Sequence, residues 1–168
     1  MIKTDTIPAF YKRYTDRVQH LELPEALMIT GNEIVGMIRS LPETSGSLRY
    51  DTGKWSVKEL LCHLMDAERI FAYRALRFAR NDKTELHGFE ENDYAPEANA
   101  NSRTLAQLAA EMERLRATTS DLFNSFTPEM LERKGTANGT VLSVEEIGYI
   151  IAGHTMHHQH VLTERYLK

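Results

Sequence analysis

Histidines are concentrated near the end of the chain, where four of the seven lie between positions 154 and 160. His154 and His158 are four residues apart, which in a helix puts both side chains on one face, one turn from each other. Two imidazoles at this spacing can bind one ion at the ~2.0–2.1 Å expected for zinc. On spacing alone, a hydrogen-bonded or surface pair of histidines is the commoner arrangement, so both interpretations stay open at this point.

A metal site in a helical bundle takes its ligands from several helices, so a third ligand is expected from another segment. His63 meets this requirement, although taken alone it is typical of a histidine at the edge of a buried helix face. His157 and His160 are rotated away from the pair at about 100° per residue. We expect the side chains of these two histidines either to contact the metal ligands without binding the metal or to face solvent.

Three neutral imidazoles leave open positions on an ion, which is typical of a catalytic rather than a structural site. Asp66 follows His63 by three residues and shares its helix face, so it is a candidate catalytic residue that orients an imidazole or binds substrate. Glu90, Glu91 and Asp93 lie in a long polar segment and are candidates to meet a polar substrate. For all four acids the alternative is a solvated side chain.

Composition limits the class of protein. The chain has 168 residues, of which 42% are hydrophobic and 26% charged, with a formal net charge of −4. No apolar run approaches the ~20 residues of a membrane span, and the first eight residues lack a signal segment, so we expect a cytoplasmic protein. Scattered basic residues argue against nucleic-acid binding. Cys62 has no second cysteine to pair with, and its leucine neighbours indicate a small core residue.

Apolar residues at helical spacing predict the elements that carry these side chains. The main helical segments are predicted at about Pro8–Leu21, Pro24–Leu41, Ser56–Asn81, Ser102–Phe126 and Ser143 to the C-terminus. Ser56–Glu59 and Ser143–Glu146 are capping boxes, which mark helix starts. In the last segment the inward stripe is predicted to run from Ile147 through the histidine pair to Arg165.

The connections complete the predicted fold. Residues 82–101 lack periodicity and form a long connection, which is typical of a functional or mobile segment. Asn138-Gly139 is a turn signal, and no strands are expected. The sequence therefore predicts a single domain over residues 1–168, an all-α, up-down-type four-helix bundle with short additional helices.

Four stretches of the chain resemble, in order, stretches of the DinB/YfiT-like superfamily. They are Trp55–Arg69 (WSVKELLCHLMDAER), Gly88–Tyr94 (GFEENDY), Gly135–Gly139 (GTANG) and Ile150–His160 (IIAGHTMHHQH). The resemblance covers essentially the whole chain. It implies that the metal triad of the family falls on His63, His154 and His158.

The resemblance also implies nickel or zinc as the metal and, for the YfiT-like branch, a homodimer. Related proteins transfer low-molecular-weight thiols such as bacillithiol or mycothiol, and many are catalogued as metal-dependent hydrolases. The expected enzyme is therefore a thiol S-transferase acting on a small-molecule thiol and an electrophile, or a hydrolase, with thiol transfer favoured on the resemblance alone. The alternative is a non-catalytic metal-binding stress-response module.

Overall fold

The computed structural model describes residues 7–168; residues 1–6, part of the stretch inspected for a signal segment, lie outside it. Its helices are α1 Ala9–Thr15, α2 Leu23–Ser40, α3 Val57–Ala79, α4 Glu91–Glu97, α5 Leu105–Asn124, α6 Pro128–Leu131 and α7 Val144–Val161. Helices α2, α3, α5 and α7 have between 18 and 23 residues each and form the bundle. The predicted all-α four-helix bundle is confirmed.

Helices that are consecutive in the sequence are not always neighbours in the bundle. Helix α2 packs against α5 and α7, and α3 packs against the same two helices, so α2 and α3 lie across the bundle from each other. Buried apolar side chains fill the interior in two clusters, one containing Ile147 and the other Leu108. Helix α1 lies against α7. Because α3 and α7 are in direct contact, the histidines they carry can converge.

Both predicted capping boxes are present, and they start the two helices that carry the histidines. The Ser56 hydroxyl accepts from the Glu59 amide at 3.2 Å, and the Glu59 carboxylate accepts from the Ser56 amide at 2.6 Å. Ser143 and Glu146 repeat this arrangement at 3.1 and 2.7 Å. Each box satisfies two amides that have no partner inside the helix, so it fixes where the helix begins.

A short antiparallel hairpin is present where we expected no strand. Strand β1, Lys134–Ala137, pairs with β2, Thr140–Ser143. The predicted turn joins them, with φ angles of 51° at Asn138 and 68° at Gly139. A tight hairpin turn of this kind needs positive φ at both central residues, which Asn and Gly tolerate. Strands of four residues are too short to produce a recognisable alternation of apolar and polar residues, so the sequence did not predict them.

The last helix ends earlier than predicted. Helix α7 passes into a five-residue π-helical turn, Leu162–Tyr166. The wider turn brings Leu162 and Tyr166 into the core, whereas Arg165 is exposed. The prediction that Arg165 continues the inward stripe is therefore wrong, because i→i+5 hydrogen bonds change the rotation per residue.

The segment predicted as a long connection, residues 82–101, is partly helical. It contains α4, which packs against α3, and the first residues of a 3₁₀ turn, Ala100–Ser102. Another 3₁₀ turn, Glu43–Ser47, follows α2. Within residues 7–168, no helix combines the length and the hydrophobicity needed to cross a bilayer.

Candidate metal centre

Three imidazole rings from α3 and α7 converge inside the bundle. His63 lies about two turns into α3, and His154 and His158 lie one turn apart on α7. The ring centres are 5.0 Å apart between His63 and His154, 5.1 Å between His63 and His158, and 4.6 Å between His154 and His158. The structure therefore brings together the three residues that the sequence analysis singled out.

The ring nitrogens are spaced as the ligands of one ion would be. Nε2 of His63 lies 3.2 Å from Nε2 of His154, and one ring nitrogen from each of the three histidines lies within 4.8 Å of the other two. Two nitrogens bound tetrahedrally to zinc at ~2.0–2.1 Å are about 3.3 Å apart. The cluster thus fits a single divalent ion.

Burial keeps the three imidazoles neutral. Loss of solvent lowers the pKa of His63 to about 4, and it holds the pKa values of His154 and His158 well below the usual range. Repulsion between neighbouring imidazolium charges acts in the same direction on the last two. Because the neutral ring has the free lone pair that binds a metal, the triad is in its ligand form at neutral pH.

The cluster contains a polar atom that hydrogen bonds do not satisfy. Nδ1 of His158 is buried and has no hydrogen-bond partner among the described residues. Such groups are uncommon in folded proteins and cost free energy, and Nδ1 of the neighbouring His157 is in the same condition. Within residues 7–168, no fourth histidine, cysteine or carboxylate joins the group. The donor set therefore fits a cation that keeps open coordination positions.

A cavity of about 260 Å³ opens beside the three rings. Its walls are mainly aromatic, with two arginines and one glutamate among them. Apart from the triad, the lining residues are Phe10, Tyr11, Arg13, Tyr14, Trp55, Ala67, Phe71, Arg74, Phe89, Glu91, Asn138 and His157. An ion held by the histidines would face a space suited to a small substrate.

Helix α1 covers one side of the triad because of a glycine on α7. The backbone carbonyl of Tyr14 occupies the place that a Cβ of Gly153 would take. This close approach sets the Tyr14 ring edge-on to the rings of His154, at 5.1 Å, and His157, at 5.4 Å. Arg13 donates from Nη2 to the Tyr14 hydroxyl at 2.7 Å. The glycine next to His154 thus positions an aromatic wall of the site.

The aromatic residues that surround the triad were not predicted from the sequence to belong to the site. The Trp55 ring centre lies 4.8 Å from that of His63. Trp55 directly precedes the capping box of α3, and Tyr14 belongs to an aromatic cluster that we interpreted only as a helix face. The position of this tryptophan, directly before the start of the helix that carries His63, is a sequence signal that could have identified Trp55 as a neighbour of the site. Nothing local distinguishes Tyr14, because its role depends on the packing of α1 on α7.

The four acidic residues that were named from the sequence as candidates for a catalytic or substrate-binding role lie in different parts of the structure. Asp66 pairs with Arg69 at 3.4 Å and lines a separate surface cavity together with Asp93. It is not among the residues that line the histidine cavity, and its catalytic role stays a prediction. Glu91 does line the histidine cavity, whereas Glu90 caps the start of α4. Of the acids named from the sequence, Glu91 is the one placed to meet a substrate in this cavity.

His157, His160 and Cys62 lie in environments that agree with the expectations stated for them. His157 lines the cavity beside the triad. His160 is exposed, with its Nδ1 2.8 Å from Nη1 of Arg17. Cys62 is buried, and burial raises the pKa of its thiol. Its Sγ accepts only a long contact, at 3.8 Å, from Nη1 of Arg103.

Comparisons with known proteins agree with this fold. Residues 26–162 match the sequence profile of the DinB superfamily. Among solved structures, the chain is similar to YfiT from Bacillus subtilis, described as a probable metal-dependent hydrolase with an unusual four-helix bundle topology. The TM-score is 0.77 at 14% sequence identity, over 98% of this chain and 90% of that chain. At this identity the likeness shows the fold alone. A comparison with curated proteins finds no significant match.

Proposed function

The chain belongs to the DinB superfamily, and on this basis we propose that it is a metal-dependent enzyme whose His63, His154 and His158 hold one divalent cation, zinc or nickel. The observation that carries the proposal is the convergence of one ring nitrogen from each histidine to within 4.8 Å of the others. A cation bound there would supply Lewis acidity to a thiol or a water molecule in an open position.

The side chains around the triad give the reaction its environment. Burial keeps the three imidazoles neutral, so they bind as donors without first losing protons. Tyr14 and Trp55 pack against the rings of His154 and His63. They limit the access of bulk water to one side of the site, which strengthens electrostatic interactions within it.

We propose transfer of a low-molecular-weight thiol to an electrophile as the reaction. The sulfur forms the new bond to the electrophilic carbon, the leaving group departs with the electron pair of the broken bond, and the thiol proton goes to solvent. A thiol activated by a cation gives up its proton without a general base. This agrees with a group of three imidazoles that includes no carboxylate within the described residues.

Hydrolysis is the second candidate, and the description of YfiT as a probable metal-dependent hydrolase favours it. Attack by water benefits from a general base, and Glu91 and His157 on the cavity wall are candidates for that role. We propose that Asp66 has an indirect role, in which it helps to orient the imidazole of His63 one turn earlier on α3.

We further propose that the protein is a homodimer. Sedimentation velocity would measure its oligomeric state.

Cobalt substitution tests the site and its chemistry together. Protein purified without chelator or histidine tag should contain about one divalent ion per chain. The cobalt(II) form should develop a thiolate-to-metal charge-transfer band when a small thiol is added. Assays with 1-chloro-2,4-dinitrobenzene plus thiol, and with a simple ester, then separate transfer from hydrolysis.

Each outcome of the cobalt experiment has a defined meaning. A protein that binds cobalt but gives no band and no activity would support the non-catalytic binding module. A protein that binds no divalent ion would overturn the proposal. His160→Ala is the matched control, because His160 is exposed on the same helix, and this variant should behave as the unmodified protein does.

A further inference from the structure

Arg74 is a buried arginine on the same face of α3 as His63. The two positions are eleven residues apart, which corresponds to three turns and a rotation of about 20°. Ala67 and Phe71 lie between them on this face, and all four residues line the cavity. Arg74 thus lies three turns further along this wall than His63, and its side chain also lines the neighbouring surface cavity beside His87.

Arg74 has no carboxylate partner among the described residues, although only 3% of it is exposed. Its Nη2 donates to the backbone carbonyl of His87 at 2.9 Å. The comparably buried Arg116 is different, because its guanidinium makes two hydrogen bonds to the carboxylate of Glu68. A guanidinium has five N–H donors. Since a buried charge without a counter-charge is costly, the remaining donors of Arg74 are suited to an anion in the cavity.

A second arginine adds positive charge at the mouth of the cavity. Arg13 lies over the rings of Phe10, at 4.2 Å, and Tyr14, at 4.7 Å. In the part of the chain that the structure describes, it too has no carboxylate partner. Glu91 is the one acid on the cavity wall, and no ion pair joins it to either arginine among residues 7–168. Among the described residues, the cavity wall therefore carries a net positive charge even before a cation binds to the histidines.

We propose that this cavity binds a small organic anion, with a carboxylate or phosphate group at Arg74 and the reacting atom at the three histidines. The inference deepens the proposed function and rests on it for the position of the reacting atom. The planar guanidinium binds either oxyanion through two parallel hydrogen bonds. Phe71 and Tyr11, which contact each other edge-on at 6.2 Å, provide an apolar wall for the body of the molecule.

The chain contains an intrinsic fluorescent reporter for the binding of ligands in this cavity. Trp55 is the only tryptophan in the sequence, and it lines the same cavity. Its fluorescence therefore reports on ligands that enter the cavity. Titrating the metal-free protein with 3-phenylpropionate, phenyl phosphate and the neutral 3-phenylpropionamide measures anion binding independently of any metal chemistry. We expect at least one of the two anions to bind about tenfold or more tightly than the amide, since charge-assisted hydrogen bonds are the stronger class.

Variants at Arg74 separate anion binding from a structural role. Arg74→Gln keeps a donor for the His87 carbonyl but removes the charge, so it should remove the preference for the anion while thermal unfolding stays close to that of the unmodified protein. Arg74→Lys keeps the charge and should retain part of the preference. Arg80→Gln is the matched control, because Arg80 is exposed at the end of α3 and outside the cavity; it should retain the full preference.

Equal binding of the anions and the amide would overturn the inference, as would an unchanged preference in Arg74→Gln. A loss of preference in Arg80→Gln as large as in Arg74→Gln would also overturn it, since it would indicate only a general effect of net charge. These results are distinguishable from failure of the proposed function. Anion preference without metal binding would contradict the metal enzyme alone, and metal binding without anion preference would contradict the Arg74 site alone.

Discussion

Arg116 on α5 and Glu68 on α3 form a buried ion pair with two hydrogen bonds, at 3.0 and 2.9 Å. The same guanidinium donates to the Leu27 carbonyl and to the hydroxyl groups of Thr30 and Thr155, at 2.8 to 2.9 Å. These partners lie on α2 and α7, so one side chain connects all four helices of the bundle. Because Thr155 follows a histidine of the triad directly, the network also supports the helix that carries the site.

Breaking this pair should destabilise the protein strongly. Arg116→Met leaves the Glu68 carboxylate buried without a counter-charge, which is expected to lower the free energy of unfolding by about 3–5 kcal/mol. Urea denaturation measures the change. Arg39→Met, which removes an exposed pair with Glu113, is the control and should cost less than about 1 kcal/mol. Similar losses of unfolding free energy in the two variants would show that the buried network stabilises the bundle no more than an exposed ion pair does.

Two glycine substitutions should change stability in opposite directions. Gly153→Ala puts a methyl group where the Tyr14 backbone carbonyl lies, and backbone cannot move aside as a flexible side chain can. We expect a loss of about 1–3 kcal/mol or more from overpacking. Gly36→Ala places its methyl in open space on α2 and should gain about 0.5–1 kcal/mol. Thermal and urea unfolding measure both changes in stability. If Gly153→Ala left the stability unchanged, this result would contradict the tight packing of α1 on α7.

Removing one histidine should remove the metal but not the fold. His158→Ala is expected to weaken metal affinity by more than about 100-fold, since loss of an outer partner of a metal ligand alone costs about 10–100-fold. The far-ultraviolet circular dichroism spectrum should keep its helical form, because buried apolar side chains and not the ion supply most of the core. Metal analysis after gel filtration measures the loss. A His158→Ala protein with full metal content would exclude this residue as a ligand.

Mild acid should destabilise the metal-free protein. The pKa of His63 is about 4 in the folded chain and about 6.5 in the unfolded chain. Between these values the unfolded state binds more protons, so stability is complete above about pH 6.5 and decreases as the pH falls toward 4. His63 alone should account for about 2 kcal/mol between about pH 7.5 and pH 5.

His154, which is buried, and His158, which is half-buried, also have depressed pKa values and act in the same direction. Urea unfolding of chelator-treated protein at the two pH values measures the effect. His63→Gln should reduce the pH dependence, whereas His20→Gln, at an exposed position, should leave it unchanged. An equal loss of stability in the unmodified and His63→Gln proteins would contradict a neutral, half-buried His63.

Local features of the fold were predictable because their physical causes lie within a few residues. The boxes at Ser56–Glu59 and Ser143–Glu146 depend on hydrogen bonds across three positions, and both are present. The turn at Asn138-Gly139 follows from the tolerance of these residues for positive φ. The i, i+4 spacing of His154 and His158 puts both on one face of whatever helix they occupy. His63 was predicted as the third ligand because a metal site in a helical bundle takes ligands from more than one helix. The family resemblance implied the same three histidines.

Only the tertiary structure decided which surfaces meet. An apolar stripe indicates which side of a helix is buried, but it does not indicate which helix covers it, so the packing of α3 and α2 on the same two neighbours could not be predicted. The position of Tyr14 over His154 depends on contact between α1 and Gly153, and the alignment of Arg74 with the cavity depends on what packs around α3. The three histidines of the candidate site were therefore accessible from the sequence, whereas the cavity around them exists only through contacts between segments far apart in the chain.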